Sequence, residues 1–406
     1  MSEKSYDDEL KEAFALLREH GSVTHAAEAA GVPRHTLSNR VVQAVIRGYA
    51  EPTAKEVTRL HRERAELKRQ LREANTEELS TDSVREQIMG MAAVPPDPPD
   101  WLLDRGGGAK SGPGIPVTIW SDWHLGEAVD GAEIGNVNRF NMEVGEERVC
   151  RLVERTIDLC FEHMTNPRYP GIVVCLGGDL VSGEIHPELE QTNEPGLFQS
   201  VLRCRDILIW ALESIAEEFG HVFVPCVAGN HGRNTHKIQH KKFVYRNADW
   251  LICTLVERYF REKDDDRVRF MIPANNEAYF EVAGQRFLLL HGHDLGVRGG
   301  DGMIGSLGPI RRGEIKVGRQ QAQMGRHFDT LLIGHWHQYL PLPSVVVNGS
   351  LVGYSEFAKN SRFTAESPKQ ALFFVHARRG VTARWPVLLE DAPPPANQDW
   401  VRWSAA

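Results

Sequence analysis

Residues 117–124 read VTIWSDWH: a β-prone apolar run that ends in a carboxylate, Asp122, and an imidazole, His124, two positions apart. The layout recurs four times. GIVVCLGGD (171–179) ends in Asp179, HVFVPCVAGNH (221–231) in Asn230 and His231, FLLLHGHD (287–294) carries His291 and His293, and TLLIGHWH (330–337) carries His335 and His337. Short apolar runs that stop at polar turn residues are strand signals. Successive motifs lie 44 to 61 positions apart, room for a strand, a helix and a loop each time. Amphipathic runs at 146–163, 197–219 and 245–260 supply the helices between them. The reading is an α/β domain over about 116–390 whose site gathers at the carboxyl ends of its strands, where open α/β sheets place their ligands.

The rest of the chain narrows the class of protein. Its 406 residues suit two or three domains. The net charge of −8 does not advertise nucleic-acid binding, so any basic surface must be local. The six cysteines are scattered, with no CxxC pair, which suits buried thiols in a reducing cytosol and argues against a zinc ribbon. No apolar run reaches membrane-spanning length, and MSEKSYDDELKEAF at the start lacks the apolar core of a signal peptide. The expectation is a cytoplasmic protein with no membrane partner.

Two divalent metals about 3.5–4 Å apart can clamp a phosphate and supply a hydroxide nucleophile at neutral pH. Such a centre needs a bridging oxygen, hard carboxylates and neutral imidazoles. Asp122 and His124 can enter one site if the strand breaks between them. Asp179 is the natural bridge, Asn230 offers an amide oxygen, and His291, His335 and His337 offer nitrogen. A mixed N/O set disfavours a Mg/Ca-type oxygen cage and suits Mn, Fe or Zn, with Mn²⁺ preferred here. Any one motif alone occurs by chance; five in order, each after an apolar run, do not.

The order D-x-H, GD, GNH, H, GHxH resembles the calcineurin-like metallophosphoesterases over about residues 116–350. The resemblance implies a two-sheet α/β sandwich flanked by helices. It implies Asp122, His124, Asp179 and His337 on one metal and Asp179, Asn230, His291 and His335 on the other. It makes His231 the imidazole that is not a ligand but stabilises the transition state or protonates the leaving oxygen. His293 stays ambiguous, with His291 preferred as the ligand. The GDxxDRG and GNHE patterns of protein-dephosphorylating members are absent, since Asp179 is followed by LVSG and His231 by Gly232. That lowers the protein-phosphatase reading.

Outside the five motifs, five features bear on the substrate. Residues 1–50 read as three short helices resembling a helix-turn-helix, with Arg34, His35, Thr36, Ser38, Asn39 and Arg40 near the exposed start of a recognition helix. Arg34, His35, Asn39 and Arg40 are the candidate contacts to nucleic acid; a small helical bundle for protein contacts is the rival. Residues 51–78 read as a charged helix with a short heptad seam, a possible coiled coil and route to a homodimer. A Pro/Gly-rich linker follows over 79–115, and 391–406 is a tail. After GNH, Arg233, Lys237, Lys241, Lys242 and Arg246 follow with His236 and His240 interleaved; Arg233 and Lys237 are candidate phosphate contacts, against a plain solvated helix face. Finally, RGGDGMIGSLGP (298–309), with Arg311, Arg312 and Lys316, could wrap a phosphate or a second subunit, against a plain flexible loop. His186 could face the phosphate, though a surface histidine is the simpler reading.

The whole layout resembles phage- or prophage-encoded metallophosphoesterases described as DNA-repair exonucleases. The expected activity is therefore a dinuclear-metal phosphodiesterase acting on DNA. The rivals are a phosphoesterase of small molecules and a DNA-binding protein without turnover.

Overall fold

The structure, a computed structural model, describes residues 6–20, 23–46, 112, 114–165, 167–185, 187–295 and 306–391. The expected charged helix at 51–78, nearly all of the linker, most of the glycine-rich loop, His186 and the tail beyond 391 lie outside them. The chain divides into two compact units at Asp97/Pro98.

The first unit contains α1 (Tyr6–His20), α2 (Val23–Ala30) and α3 (Arg34–Ile46). Ala13, Ala26, Ala27, Leu37 and Val41 form its core. The small alanines let the helices approach closely. Gly31, at φ 66°, turns the chain between α2 and α3, and Val32 N–H donates to the Ala27 carbonyl across that turn.

The second unit is a two-sheet sandwich with helices on its outer faces. Its strands are β1 (Ile115–Trp120), β2 (Ile172–Leu176), β3 (Val222–Pro225), β4 (Val268–Met271), β5 (Ala278–Val282), β6 (Gln285–Leu289), β7 (Thr330–Ile333), β8 (Leu340–Pro341), β9 (Val345–Val347), β10 (Lys369–His376) and β11 (Gly380–Leu388). One sheet has the order β11-β10-β1-β2-β3-β4, the other β5-β6-β7-β9-β8. β1 to β4 run parallel, as do β6, β7 and β9.

Alternation along the strands decides which layer each side chain joins. Val117 and Ile119 of β1 and Val173 and Cys175 of β2 face Phe280, Phe287, Leu289 and Leu332 of the other sheet, forming the inter-sheet core. Trp120, Ile172, Val174 and Leu176 point the other way. There they meet α4 (Met142–Phe161), α6 (Leu197–Phe219) and α7 (Ala248–Glu262). On the outer face of the second sheet, Leu288, Leu331, Val345 and Val347 pack with Leu295 and with Ile310 and Val317 of α8 (Leu307–Gln323). Strands buried on both faces explain why the motif runs read as continuous apolar stretches rather than alternating ones. Two shorter helices, α5 (Pro187–Thr192) and α9 (Glu356–Asn360), lie in the connections.

All six cysteines are buried free thiols. No helix among the described residues is long and apolar enough to cross a membrane.

Candidate metal centre

Every motif residue stands just beyond the C-terminal end of a strand: Asp122 and His124 after β1, Asp179 after β2, Asn230 and His231 after β3, His291 after β6, and His335 and His337 after β7. The strands deliver them to the same edge of both sheets. Backbone conformation then turns them inward. Asp122 (φ 54°), His124 (47°), Asp179 (53°), His335 (68°) and His337 (53°) all occupy the left-handed region, which costs a side-chain-bearing residue about 1–2 kcal/mol. Such strain persists where surrounding structure over-determines it, commonly at functional sites. Here the β1 and β2 loops hold each other: Asp122 N–H donates to Gly178 O, His124 N–H to Asp179 O and Leu125 N–H to Leu180 O, each at 3.0 Å.

The motif glycines are required by close approach. A Cβ on Gly229 would collide with the Asp179 carboxylate, and one on Gly334 with Asp122 Oδ2 and Ser121 Oγ. Each glycine lets one ligand loop pass directly behind the carboxylate of another.

Three overlapping donor clusters result. Asp122, His124 and His337 form one, Asp179, His291 and His335 a second, and His124, Asp179 and His231 lie between them; within each, the donor atoms fall within 4.8 Å of one another. His337 Nε2 lies 3.4 Å from Asp122 Oδ1 and 3.2 Å from His124 Nε2. His291 Nε2 lies 2.9 Å from Asp179 Oδ2 and 3.1 Å from Asn230 Oδ1. Asn230 therefore joins the second cluster. His293 stays outside all three, its ring tilted over Phe243 at 5.2 Å.

The electrostatics fit cations. His291 Nδ1 faces the Gly177 carbonyl at 2.8 Å, so it must carry the proton. Its Nε2 lone pair is then aimed at two oxygen acceptors, an arrangement that needs positive charge at its centre. Without a metal the ring supplies that charge itself: burial opposes it, but Asp179 pushes the His291 pKa up to about 10. Burial also favours neutral carboxyls, yet His337 keeps Asp122 below its ordinary value and His291 and His231 keep Asp179 well below. Burial, with His231 and His337, drives His124 well down, and burial with His291 takes His335 down to about 3, so both imidazoles keep a free lone pair. Two ionised carboxylates beside the unprotonated imidazoles of His124 and His335, with His291 and His337 drawn against those carboxylates, make a donor set that suits a pair of divalent N/O-binding metals. The carbonyl behind His291 is the outer-sphere partner that orients metal-binding histidines.

His231 is held differently. Its backbone N–H donates to Asp179 Oδ1 at 2.6 Å, and its Nδ1 faces Ser182 O at 2.9 Å. That carbonyl fixes the proton on Nδ1 and leaves Nε2 to the cluster, with the ring edge-on to His124 at 4.4 Å.

Two carboxylates that were not singled out from sequence support the site. Asp249, fully buried in the first turn of α7, accepts N–H bonds from Asp179 (2.9 Å), Leu180 (3.0 Å) and Gly229 (2.8 Å). It ties the second and third motif loops to each other. Burial and nearby Asp179 raise its pKa to about 6. Asn247, the cap of α7, anchors the same loop from its other side by donating to Gly229 O. The sequence signal was an Asx cap and an acid ahead of an apolar helical run, Asn247-Ala-Asp249. The second carboxylate is Glu127, whose Oε2 lies 3.6 Å from His124 Nδ1.

The expected nucleic-acid contacts fare unevenly. Lys237 is exposed. Arg233 is not available: it is buried, and its guanidinium donates to the carbonyls of Asn230, Thr235 and His236, so it braces the GNH loop instead. The stretch around it is an irregular loop closed by a short 3-10 turn (Val244–Arg246), not a solvated helix face. In the N-terminal unit Arg34 is exposed and His35 partly so, while Arg40 pairs with Glu9 at 2.9 Å. Asn39 is a correction. It is 4% exposed and packed inside the helical unit, because α3 turns that position inward with Gln43, also buried.

No family model matches the chain, and no curated protein matches it in sequence. Among solved structures it is similar to a dimetal phosphatase from Danio rerio, at 11% identity over 68% of this chain and 100% of that one, with a TM-score of 0.31. It is similar to the sulfate thiohydrolase SoxB of Thermus thermophilus at 10% identity over 71% of this chain and 59% of that one, TM-score 0.29. A Staphylococcus aureus protein described as a 5'-nucleotidase shows 10% identity over 68% of this chain and 55% of that one, TM-score 0.27. This chain thus spans under two thirds of the latter two.

Proposed function

We propose that this chain is a dinuclear-metal phosphoesterase of the calcineurin-like kind, that it hydrolyses phosphodiesters, and that DNA is its substrate. The observation that carries the reading is the pair of donor clusters, Asp122/His124/His337 and Asp179/His291/His335, packed edge to edge with Asp179 between them. Two divalent cations, most suitably Mn²⁺, would supply Lewis acidity and a nucleophile at neutral pH. Asp179 would serve both, and Asn230 would complete the second set without adding charge. His231, its Nδ1 proton committed to Ser182, presents an unprotonated Nε2 that would take a proton from the attacking water and pass it to the departing oxygen. Asp249 and Asn247 hold the Asp179 and Asn230 loops in register for that exchange.

Lys237, exposed beyond the GNH loop, and the absence of the GDxxDRG pattern support a nucleic-acid diester over a phosphoprotein. The N-terminal helices would tether the enzyme to DNA through Arg34 and His35, raising local concentration without adding chemistry.

The test is hydrolysis by metal-stripped protein resupplied with Mn²⁺, using end-labelled single- and double-stranded DNA beside bis-p-nitrophenyl phosphate. DNA cleavage that vanishes in Asp179→Asn is the expected result. Turnover of the small diester alone would keep the phosphoesterase and remove DNA. Near-normal turnover in Asp179→Asn would sink the bridging role.

A further inference from the structure

Two basic segments border the loops that carry the metal-site residues. The loop 233–246 carries five Lys/Arg and no acid, and residues 307–326 carry five Lys/Arg against one Glu, in a chain whose net charge is −8. Lys237, Lys241, Lys242, Arg312 and Arg319 are all exposed. Both segments are tied to the ligand loops. Phe243 of the first lies on His293, two residues past His291. At the head of the second, Ser306 Oγ is 2.5 Å from Gln338 Oε1, next to His337, and Leu295 packs beneath Gly313 of α8. α8 spans 17 residues, about 25 Å at the usual helical rise. Arg312 and Arg319, two turns apart, repeat along one face of it.

A substrate with a single phosphate has no use for a cationic track leading away from the metals. A polyanion does. Ile238 and Ile315, exposed between the cations, add apolar surface that bases can cover.

We propose that α8 and the 237–242 loop form a basic lip that binds the flanking phosphates of a single-stranded polynucleotide held at the metal centre. The proposal rests on the phosphoesterase reading and adds to it the surface that holds the strand beyond the scissile phosphate. The N-terminal unit plays no part in it.

The experiment compares wild type with the charge reversal Lys241→Glu/Lys242→Glu/Arg312→Glu/Arg319→Glu, both full-length and Mn²⁺-loaded. The expected result is a loss of about tenfold or more in kcat/KM for a labelled single-stranded oligonucleotide at low salt. The dependence of log affinity on log salt should flatten by roughly 0.7 for each phosphate contact removed. Turnover of bis-p-nitrophenyl phosphate should stay within about twofold, because its phosphate has no neighbours to engage the lip. Equal loss on both substrates overturns the proposal. So does a changed oligomeric state in the variant at unchanged oligonucleotide kinetics, which would make the surface a protein interface. Wild type that turns over the small diester but shows salt-insensitive oligonucleotide kinetics overturns the lip and spares the phosphoesterase. If neither substrate turns over, the phosphoesterase reading fails. The lip is then judged by oligonucleotide anisotropy in chelator: salt-sensitive binding lost in the variant supports it, and unchanged binding overturns it.

Discussion

Replacing Asp249 with alanine tests whether the metal centre is held from behind. The carboxylate accepts three backbone N–H groups, from Asp179, Leu180 and Gly229, at 2.8–3.0 Å and in full burial. Each buried amide left without an acceptor costs about 1–3 kcal/mol. Three of them set a ceiling of about 9 kcal/mol, and relaxation of the two loops should bring the net loss to about 4 kcal/mol, typical of a broken buried network. Asp249→Asn keeps one acceptor oxygen and the volume, so it should lose about half as much. Urea unfolding in chelator reads the stability. Elemental analysis after Mn²⁺ loading reads the consequence for the site: with the Asp179 and Gly229 loops untied, the cluster of Asp179, His291 and Asn230 should bind metal weakly, and hydrolysis of bis-p-nitrophenyl phosphate should fall with it. A loss below about 1 kcal/mol with two metals retained would show that the loops hold themselves and that Asp249 is incidental.

His231→Ala should retain both metals and lose rate, by about 10²–10⁴ if the residue acts in proton transfer; a metal content that drops instead would make it a ligand. Gly334→Ala places a methyl against Asp122 Oδ2 and Ser121 Oγ, so it should destabilise by about 1–3 kcal/mol and weaken the Asp122/His124/His337 set selectively, and unchanged metal stoichiometry and melting would refute the steric reading. Glu127, 18% exposed in its side chain, has a pKa raised by burial to about 7. A raised carboxyl pKa contributes stability that is complete below the unfolded value near 4.5 and is lost as pH climbs through about 7. The metal-free Glu127→Gln protein should therefore gain on wild type in melting temperature between pH 5 and pH 8, and a constant difference across that window would contradict the assignment.

The strands and the order of the polar residues at their ends were legible because a strand buried on both faces writes itself as an apolar run and the polar residue at its end has nowhere to hide. Helix edges were less so. The run expected at 146–163 starts earlier, at Met142, because Asn141 caps it through Val144 N–H. The one expected from 245 starts at Ala248, because Asn247 is committed as a cap and residues 244–246 form their own turn. Basic residues misled where charge was equated with exposure. Arg233 looks like a phosphate contact in a cationic string, but carbonyls within three positions of it take its guanidinium, and nothing in residue type announces that.

Taken by itself, the sequence determined the α/β layering and named the residues at the strand ends, since both are properties of local period and composition. The tertiary structure decided which of those residues meet. Asp179 and His291, 112 positions apart, come within 2.9 Å only because parallel strands in two facing sheets end at one edge. The left-handed turns at Asp122, His124, Asp179, His335 and His337 then aim five side chains inward at a backbone cost that no local preference would accept. The same packing recruited Asp249, whose function lies in amides far away in the chain. Such a role becomes visible only when the loops are folded together.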